Sequence, residues 1–180
     1  MIFRETHLAG AFLIDIEPHA DERGLFARTW CHDEFAAHGL DARVAQASVS
    51  VTRQRGTLRG MHFQAPPFAE GKLVRCLHGA IYDAVIDLRP RSATFLRHFA
   101  VELAADTHRA LWIPEGFAHG FQTLVDDVEV SYQMSAPYAP QAARGVRWDD
   151  PAFGIEWPLA SPILNDRDAA YPDFSMDVLS

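Results

Sequence analysis

The stretch GKLVRCLHGAIYDAVIDLRP, residues 71–90, decides the fold class of this chain. It is bounded by Gly and Pro and is rich in β-branched and apolar residues, a pattern typical of short strands. Successive side chains of a strand point to opposite faces. One face would carry Ile81, Asp83, Val85 and Asp87, and the other would carry Tyr82, Ala84, Ile86 and Leu88. Two acids on an otherwise apolar strand raise the question of what they face.

Short apolar segments bounded by Gly, Pro or Asp recur along most of the chain. The other predicted strands are GAFLIDIEP at 10–18, VAQASVSVT at 44–52, RHFAVELA at 97–104, RALWIPEGFAHGFQTLV at 109–125 and VEVSYQMS at 128–135. One helix is predicted near residues 32–38, where acids occupy the first turn and Gly39 follows. Many short strands at this spacing predict an all-β double-sheet jelly roll with short flanking helices. Residues 1–180 are predicted to form one domain, with an irregular C-terminal strap from about residue 152 packed on the barrel.

Composition argues against several classes of function. The 180 residues carry 24 acidic and 16 basic side chains, and the net charge of −8 argues against binding to nucleic acid or to an anionic membrane. No apolar run approaches the length of a membrane span. Cys31 and Cys76 form no CxxC motif, which favours a reducing, cytoplasmic setting. Because the chain is acidic overall, an anionic substrate would need a locally basic pocket.

The basic residues are unusual in kind, because fifteen are arginine and only Lys72 is lysine. A lysine that differs from the rest of its chain is a candidate for a site, although structural lysines are commoner. Beside His62, its ammonium could stabilise the enolate oxygen that forms when a base removes a proton next to a carbonyl. Arg59 would suit a phosphate, because guanidinium binds phosphate through two parallel hydrogen bonds. A purely structural role stays open for each of these residues.

A metal site is the competing interpretation of the same region. The segment IPEGFAHGF, residues 113–121, has the PxGxxH spacing that resembles the second motif of the cupins. The first cupin motif needs HxH followed by Glu, and here His62 is followed by Gln64 and then Glu70. Together with His119 these residues could hold iron, manganese or zinc, but the loss of one imidazole weakens the set. Chemistry that needs no metal and no cofactor is therefore the preferred prediction.

Eight segments spread over nearly the whole chain match one family in order. They are DERGLF at 21–26, QASVS at 46–50, GTLRGMHFQ at 56–64, KLVRCLHGAIYDAVIDLR at 72–89, IPEGFAHGF at 113–121, YQMSAPYAP at 132–140, GVRWDDPAFGIEWP at 145–158 and LNDRDAAYP at 164–172. With these segments the chain resembles the dTDP-4-dehydrorhamnose 3,5-epimerases. The resemblance implies a metal-independent, cupin-type double-stranded β-helix that works as a homodimer on a nucleotide diphosphate sugar.

The resemblance also implies roles for individual residues. His62 would be the general base, oriented by the carboxylate of Asp168. Tyr132 would donate a proton to the opposite face of the sugar, and Lys72 would stabilise the enolate at O4. The implied substrate contacts are Arg23 and Arg59 on the diphosphate, Tyr138 stacked on the base, and Lys72, Gln46, Ser48, His119 and Arg167. This apparatus would invert C3, C5 or both centres of a nucleotide-linked 4-keto-6-deoxy sugar.

Four positions depart from what the resemblance leads us to expect. Glu is expected at Arg28, Asn at Ser48, Gln at Glu70 and Glu at Ala143. Asp83 and Glu70 are expected to act through neighbouring side chains. Because the base, the acid and the lysine are retained, the reaction type is kept, while the nucleotide, the sugar and the number of inverted centres stay open. The alternatives are a metal-dependent cupin oxygenase or isomerase, and a sugar-binding cupin without catalysis.

Overall fold

Two antiparallel sheets face each other around one core and form a jelly roll. The structure is a computed structural model that describes residues 1–179. Across these residues the strands are β1 (Ile2–Glu5), β2 (Phe12–Asp15), β3 (His19–Asp21), β4 (Gly24–Phe26), β5 (Gln46–Thr52), β6 (Leu58–Gln64), β7 (Lys72–His78), β8 (Ala80–Asp87), β9 (His98–Ala104), β10 (Ala110–Ile113), β11 (Phe117–Thr123), β12 (Val128–Met134) and β13 (Ala143–Gly145). One sheet has the order β1-β2-β10-β7-β12-β5 and the other β13-β6-β11-β8-β9, while β3 and β4 form a separate hairpin. The predicted all-β jelly roll is confirmed.

The stretch at residues 71–90 forms the corner between the two sheets. β7 lies in the six-stranded sheet and β8 in the five-stranded sheet, so the turn at Gly79 carries the chain from one to the other. Gly79 has a φ of +77°, and a Cβ there would meet the side chains of Val125 and Val128 at 2.9 Å. Both conditions exclude other residues, so the corner depends on glycine.

The alternation predicted for β8 is confirmed. Ile81 and Val85 are fully buried in the core between the sheets. Ala84 and Ile86 point to the other face, where they pack in a second cluster with residues of the C-terminal strap. Asp83 lies on the inner face with Ile81 and Val85 and is fully buried. The inward acid therefore faces the interior of the barrel, where the candidate site lies.

The second acid of β8, Asp87, has a structural environment. It is fully buried and accepts hydrogen bonds from Arg89, Ser92 and Thr94 at 2.7, 2.5 and 2.6 Å. Burial by itself would raise the pKa of Asp87, but these hydrogen bonds hold it below its ordinary value. This acid therefore ties down the loop that follows β8.

Helices are few and short in the part of the chain that the structure describes. They are α1 (His32–Ala37), α2 (Asp166–Ala169) and the 3₁₀ turns Ala105–Thr107, Pro140–Ala142 and Met176–Leu179. The predicted helix near residues 32–38 is confirmed as α1, which buries Phe35 against Trp112 with ring centroids 5.5 Å apart. Among residues 1–179, no helix combines the length and the apolar character that a membrane crossing needs.

The C-terminal segment packs on the outer face of the five-stranded sheet. Trp157 contacts Tyr82 of β8 with ring centroids 5.8 Å apart, and Phe174 contacts Phe153 at 5.5 Å. The sequence analysis missed α2 within this segment, and it also missed β1, the β3–β4 hairpin, β6 and β13. Apart from β6, which has seven residues, these elements have three or four residues each, too few for a periodic pattern to stand out.

Candidate active site

A His–carboxylate pair joins β6 to α2. His62 Nε2 lies 2.7 Å from Asp168 Oδ1, and the other carboxylate oxygen accepts a hydrogen bond from the Gly60 N–H at 3.1 Å. Asp168 is 1% exposed. Burial alone would raise the pKa of Asp168, but the hydrogen bond and charge of His62, with the Gly60 N–H and Arg167, hold it below its ordinary value. Because the carboxylate is an acceptor, His62 Nε2 carries the proton, and Nδ1 is the basic nitrogen.

Two sequence features bring Asp168 to this position. Asn165 caps α2, and its Oδ1 accepts the backbone N–H of Asp168 at 2.7 Å. Gly145 lies opposite His62 in the ladder between β13 and β6, and a Cβ at that position would collide with the ring of Tyr171. The glycine therefore lets the segment after α2 approach β6 closely.

Tyr132 reaches the same cavity from the opposite sheet. It lies on β12 of the six-stranded sheet, whereas His62 lies on β6 of the five-stranded sheet. Burial raises the pKa of Tyr132 strongly, the charge of Asp83 raises it further, and Arg59 opposes both. The phenol is thus a neutral O–H donor at physiological pH. The cavity has a volume of about 210 Å³ and is lined by Arg59, His62, Lys72, His119, Phe121, Tyr132, Asn165 and Asp168.

A second His–carboxylate pair lies beside the first. His119 Nε2 is 2.7 Å from Asp83 Oδ1, and both side chains are almost completely buried. His119 lies opposite His62 in the ladder between β11 and β6, and its ring meets Tyr132 edge-on at 5.9 Å. Asp83 Oδ2 has no hydrogen-bond partner among residues 1–179. The acid that the sequence placed on the inner face of β8 therefore orients a histidine of the cavity.

An adjoining cavity of about 190 Å³ shares His62 and Lys72 with the first. Its lining is His62, Phe63, Gln64, Glu70, Lys72, Tyr138, Ala143, Arg144 and Arg167. Lys72 Nζ lies 3.2 Å from Glu70 Oε1. Gln46 reaches this region, because its Oε1 accepts the Tyr138 backbone N–H at 2.8 Å. Arginines and Tyr138 give this cavity the character of a site for an anionic, aromatic ligand.

Most of the predicted site residues are thus brought together, and two lie apart from the cavities. Ser48 is on β5, opposite Tyr132 in the ladder, and is exposed. Arg23 is on the β3–β4 hairpin with its side chain 84% exposed, where it pairs with Asp21. It lines a different cavity, one that also includes His19 and Phe26.

The sequence analysis missed Asn165 and Arg144, which line the two cavities. Asn165 could have been found, because an Asn followed three residues later by an acid, as in NDRD, is a helix N-cap signal. Arg144 has no comparable local signal. It enters the site because β13 pairs with β6.

The metal alternative is not supported by the arrangement of donors. Within residues 1–179 no three His, Cys, Asp or Glu side chains are grouped as metal ligands. His62 Nε2 is held by Asp168, and Glu70 is paired with Lys72. Gln64 is engaged with backbone groups, including the Ala139 N–H at 2.6 Å. The four residues proposed as ligands therefore have other partners.

Comparison with known proteins gives consistent matches. A family model described as dTDP-4-dehydrorhamnose 3,5-epimerase matches residues 5–176. The enzyme of that name from Sinorhizobium fredii is 40% identical over 173 residues, covering 96% of this chain and 89% of the relative. The crystal structure of the Bacillus anthracis enzyme, with TDP and PPi bound, superposes with a TM-score of 0.93 at 39% identity, covering 96% of this chain and 99% of that one. The 3′-monoepimerase ChmJ from Streptomyces bikiniensis, in complex with dTDP-quinovose, superposes with a TM-score of 0.87 at 34% identity, covering 96% and 87%.

Proposed function

The chain belongs to the dTDP-4-dehydrorhamnose 3,5-epimerase family, and from that membership we propose that it inverts C3, C5 or both centres of a dTDP-linked 4-keto-6-deoxy sugar. It is an epimerase of deoxysugar biosynthesis built on a cupin-type jelly roll. One observation carries the choice of reaction: a single cavity holds a carboxylate-oriented histidine on one sheet and a neutral tyrosine on the other. Epimerisation needs a base and an acid on opposite faces, because the proton that is removed from one face must be replaced on the other.

The proposed mechanism runs through an enolate. His62 Nδ1 removes the proton from the carbon next to the ketone, and Asp168 stabilises the imidazolium that results. The ammonium of Lys72 stabilises the negative charge on O4. Tyr132 then gives its proton to the same carbon from the opposite face. His62 then releases its proton to solvent and Tyr132 takes up a proton from solvent, so the enzyme is unchanged after each inversion.

The proposed substrate contacts follow the two adjoining cavities. Arg59 and His119 contact the sugar and its phosphates, and Arg167 and Tyr138 bind the nucleotide side of the substrate. Gln46 orients the segment that carries Tyr138. The TDP and PPi bound to the Bacillus anthracis relative support a diphosphate nucleotide as the ligand class.

The departures from the family pattern bear on the substrate. Ala143 and Glu70 line the cavity that we assign to the nucleotide side, so of the four departures they lie nearest to the proposed substrate. Arg28 instead forms an ion pair with Glu34 at 2.8 Å and lines a cavity near the N-terminus. We therefore expect Arg28 to affect the sugar chemistry less than Ala143 and Glu70 do.

The test of the proposed function is proton NMR with dTDP-4-keto-6-deoxyglucose in deuterium oxide, using metal-stripped protein. Loss of both the C3 and the C5 proton signals would support a 3,5-epimerase. Loss of only one would support a mono-epimerase, the name given to the relative ChmJ. If neither signal changes, and other nucleotide sugars also bind without exchange, the chain is a sugar-binding protein. Activity that appears only when iron, manganese or zinc is restored would favour the metal-dependent alternative.

We propose a homodimer as the working form. The hairpin exposes Leu25 by 51% and Phe26 by 77%, and the edge strand β5 exposes Val49 by 60% and Val51 by 55%. Apolar residues gathered on a projecting hairpin and on an open sheet edge are typical of an interface. Arg23 is carried on this hairpin, so a partner subunit is the route by which it would reach a diphosphate.

We also propose that residues 1–180 act as one domain, in which the strap from about residue 152 supplies Asp168 to the active site. The packing of Trp157 and Phe174 against the outer face of the five-stranded sheet supports this organisation. A cytoplasmic location is proposed because Cys31 and Cys76 are free thiols, which suits a reducing compartment.

A further inference from the structure

The ion pair between Lys72 and Glu70 lies at the junction of the two cavities. Lys72 lines both of them, whereas Glu70 lines the cavity on the nucleotide side. The two side chains are 12% and 9% exposed, and Nζ and Oε1 are 3.2 Å apart. Glu70 therefore touches the one lysine of the chain from the nucleotide-side cavity, whose lining includes His62 but not Tyr132.

Glu70 is itself held by a chain of contacts that ends on the backbone. Its Oε2 accepts a hydrogen bond from Gln64 Nε2 at 3.3 Å. Gln64 is 4% exposed, donates to the Phe68 carbonyl at 2.9 Å and accepts the Ala139 N–H at 2.6 Å. Because Gln64 is fixed by main-chain groups, the position of the Glu70 carboxylate is fixed as well.

A lysine needs such a support to act at a defined point. Its ammonium ends a flexible four-carbon stem and carries three donors. At 3.2 Å the contact between the ammonium and the Glu70 carboxylate is an ion pair, which restrains where the ammonium lies. The remaining donors of Lys72 can face the cavity that contains His62 and Tyr132.

We propose that Glu70 is a positioning residue that tethers the Lys72 ammonium at the place where the substrate oxyanion develops. This inference rests on the proposed epimerase function. The tether needs a polar oxygen beside Nζ and not its full charge, because a full negative charge beside Lys72 offsets part of the field that stabilises an enolate. A neutral acceptor of the same shape should therefore replace Glu70, and an apolar side chain should not.

The kinetic test compares Glu70→Ala with Glu70→Gln. We expect Glu70→Ala to lower kcat about ten- to a hundredfold, since misplacing a reacting group by about 1 Å can cost that much. KM should stay within about threefold, because the ground-state contacts to the nucleotide are retained. Glu70→Gln should restore kcat to within about threefold of the parent, as its amide oxygen keeps the acceptor. Asp15→Asn is the matched control, because it breaks the ion pair with Arg109 at 2.7 Å on β2, outside both cavities.

A second measurement reports on the tether without catalysis. The chain has one lysine, so protein made with ¹³C-labelled lysine gives the signals of Lys72 alone. In the parent and in Glu70→Gln, the two Hε protons should have separate chemical shifts, because the side chain is held in one environment. In Glu70→Ala they should merge into one averaged signal, and in Asp15→Asn they should match the parent.

The outcomes separate this inference from the proposed function. If the parent protein exchanges neither the C3 nor the C5 hydrogen of the substrate with solvent, the proposed epimerase function is contradicted. The Hε signals of Lys72 still test the tether in that case, because they do not depend on catalysis. With an active parent, the inference is wrong if Glu70→Ala keeps kcat within threefold, or if its loss lies mainly in KM. It is also wrong if Glu70→Gln is as impaired as Glu70→Ala, or if the Hε protons of the parent are already averaged.

Discussion

His62 and Tyr132 differ in what their surroundings do to the proton. Asp168 accepts from His62 Nε2 and leaves Nδ1 free to act as a base. Tyr132 is partly buried against the core, and desolvation together with the charge of Asp83 raises the pKa of its phenol, which keeps it protonated. The two residues are thus suited to the opposite roles that we propose for them. Two predictions follow from this division at the level of single side chains.

Replacing His62 removes the proposed base. His62→Ala should abolish turnover, a loss of roughly 10²–10⁴-fold, while dTDP affinity stays within a few-fold. Calorimetry with dTDP and NMR of the substrate in deuterium oxide measure the two effects separately. His32→Ala is the control, because His32 also contacts a carboxylate, Asp33 at 3.1 Å, but on the exposed surface of α1. Collapse of dTDP binding together with turnover would mean that His62 is structural.

Replacing Tyr132 should separate proton removal from inversion. In Tyr132→Phe, His62 still removes the proton and can return a deuteron to the same face, so the substrate should exchange with retained configuration. Formation of the epimer should fall about a hundredfold or more. The measurement is NMR of deuterium content and of product configuration in one sample. Tyr82→Phe, on the outer face of β8 against Trp157, is the control. Epimer formation at the parent rate in Tyr132→Phe would rule out its role as the acid.

The element that matters most for the site is α2, one of the shortest. Its four residues make it unstable by itself, so its position depends on the Asn165 cap and on packing against β6. Asp168 is the residue that the cap positions, which links a local backbone contact to the orientation of His62.

The cap can be tested by itself. Asn165→Ala should cost about 1 kcal/mol of the free energy of unfolding. It should also lower kcat, because Asp168 loses its defined position. Asn165→Ser keeps a capping oxygen and should recover most of both quantities. Urea unfolding and steady-state kinetics provide the comparison. Equal losses in the Ala and Ser variants would show that the cap does not position Asp168.

At the scale of the whole molecule, the proposed interface surface consists of the exposed apolar side chains of the β3–β4 hairpin and of β5. A chain of 20.1 kDa that pairs through this surface should run at twice that mass in light scattering. Phe26→Asp and Val49→Asp should each shift the mass toward one chain, since a buried charge without a partner is costly. Met176→Asp, at an exposed apolar residue of the C-terminal strap, should leave the mass unchanged. A parent protein of single-chain mass would contradict the proposed homodimer.

Local sequence patterns were sufficient to predict the fold class, one helix and part of the candidate site. The alternation in residues 80–87 and the Gly and Pro boundaries predicted the two-faced strand β8 and the all-β class, because both depend only on neighbouring residues. The acids before Gly39 predicted α1 for the same reason. Lys72 was singled out by composition, and Asp83 by its place on an apolar face.

Contacts between distant parts of the chain decided the rest. His62 and Asp168 are 106 residues apart and meet at 2.7 Å, and the environment of Tyr132 depends on Asp83 from the opposite sheet. The tether from Gln64 through Glu70 to Lys72, and the place of Arg23 outside the central cavity, likewise have no local signal. The alternation of apolar residues and the choice of turn residues depend only on neighbours a few positions away. Burial, ionisation and cavity shape depend on contacts that form only when the two sheets pack against each other. The proposed base and the proposed acid are therefore brought together by the closing of the jelly roll.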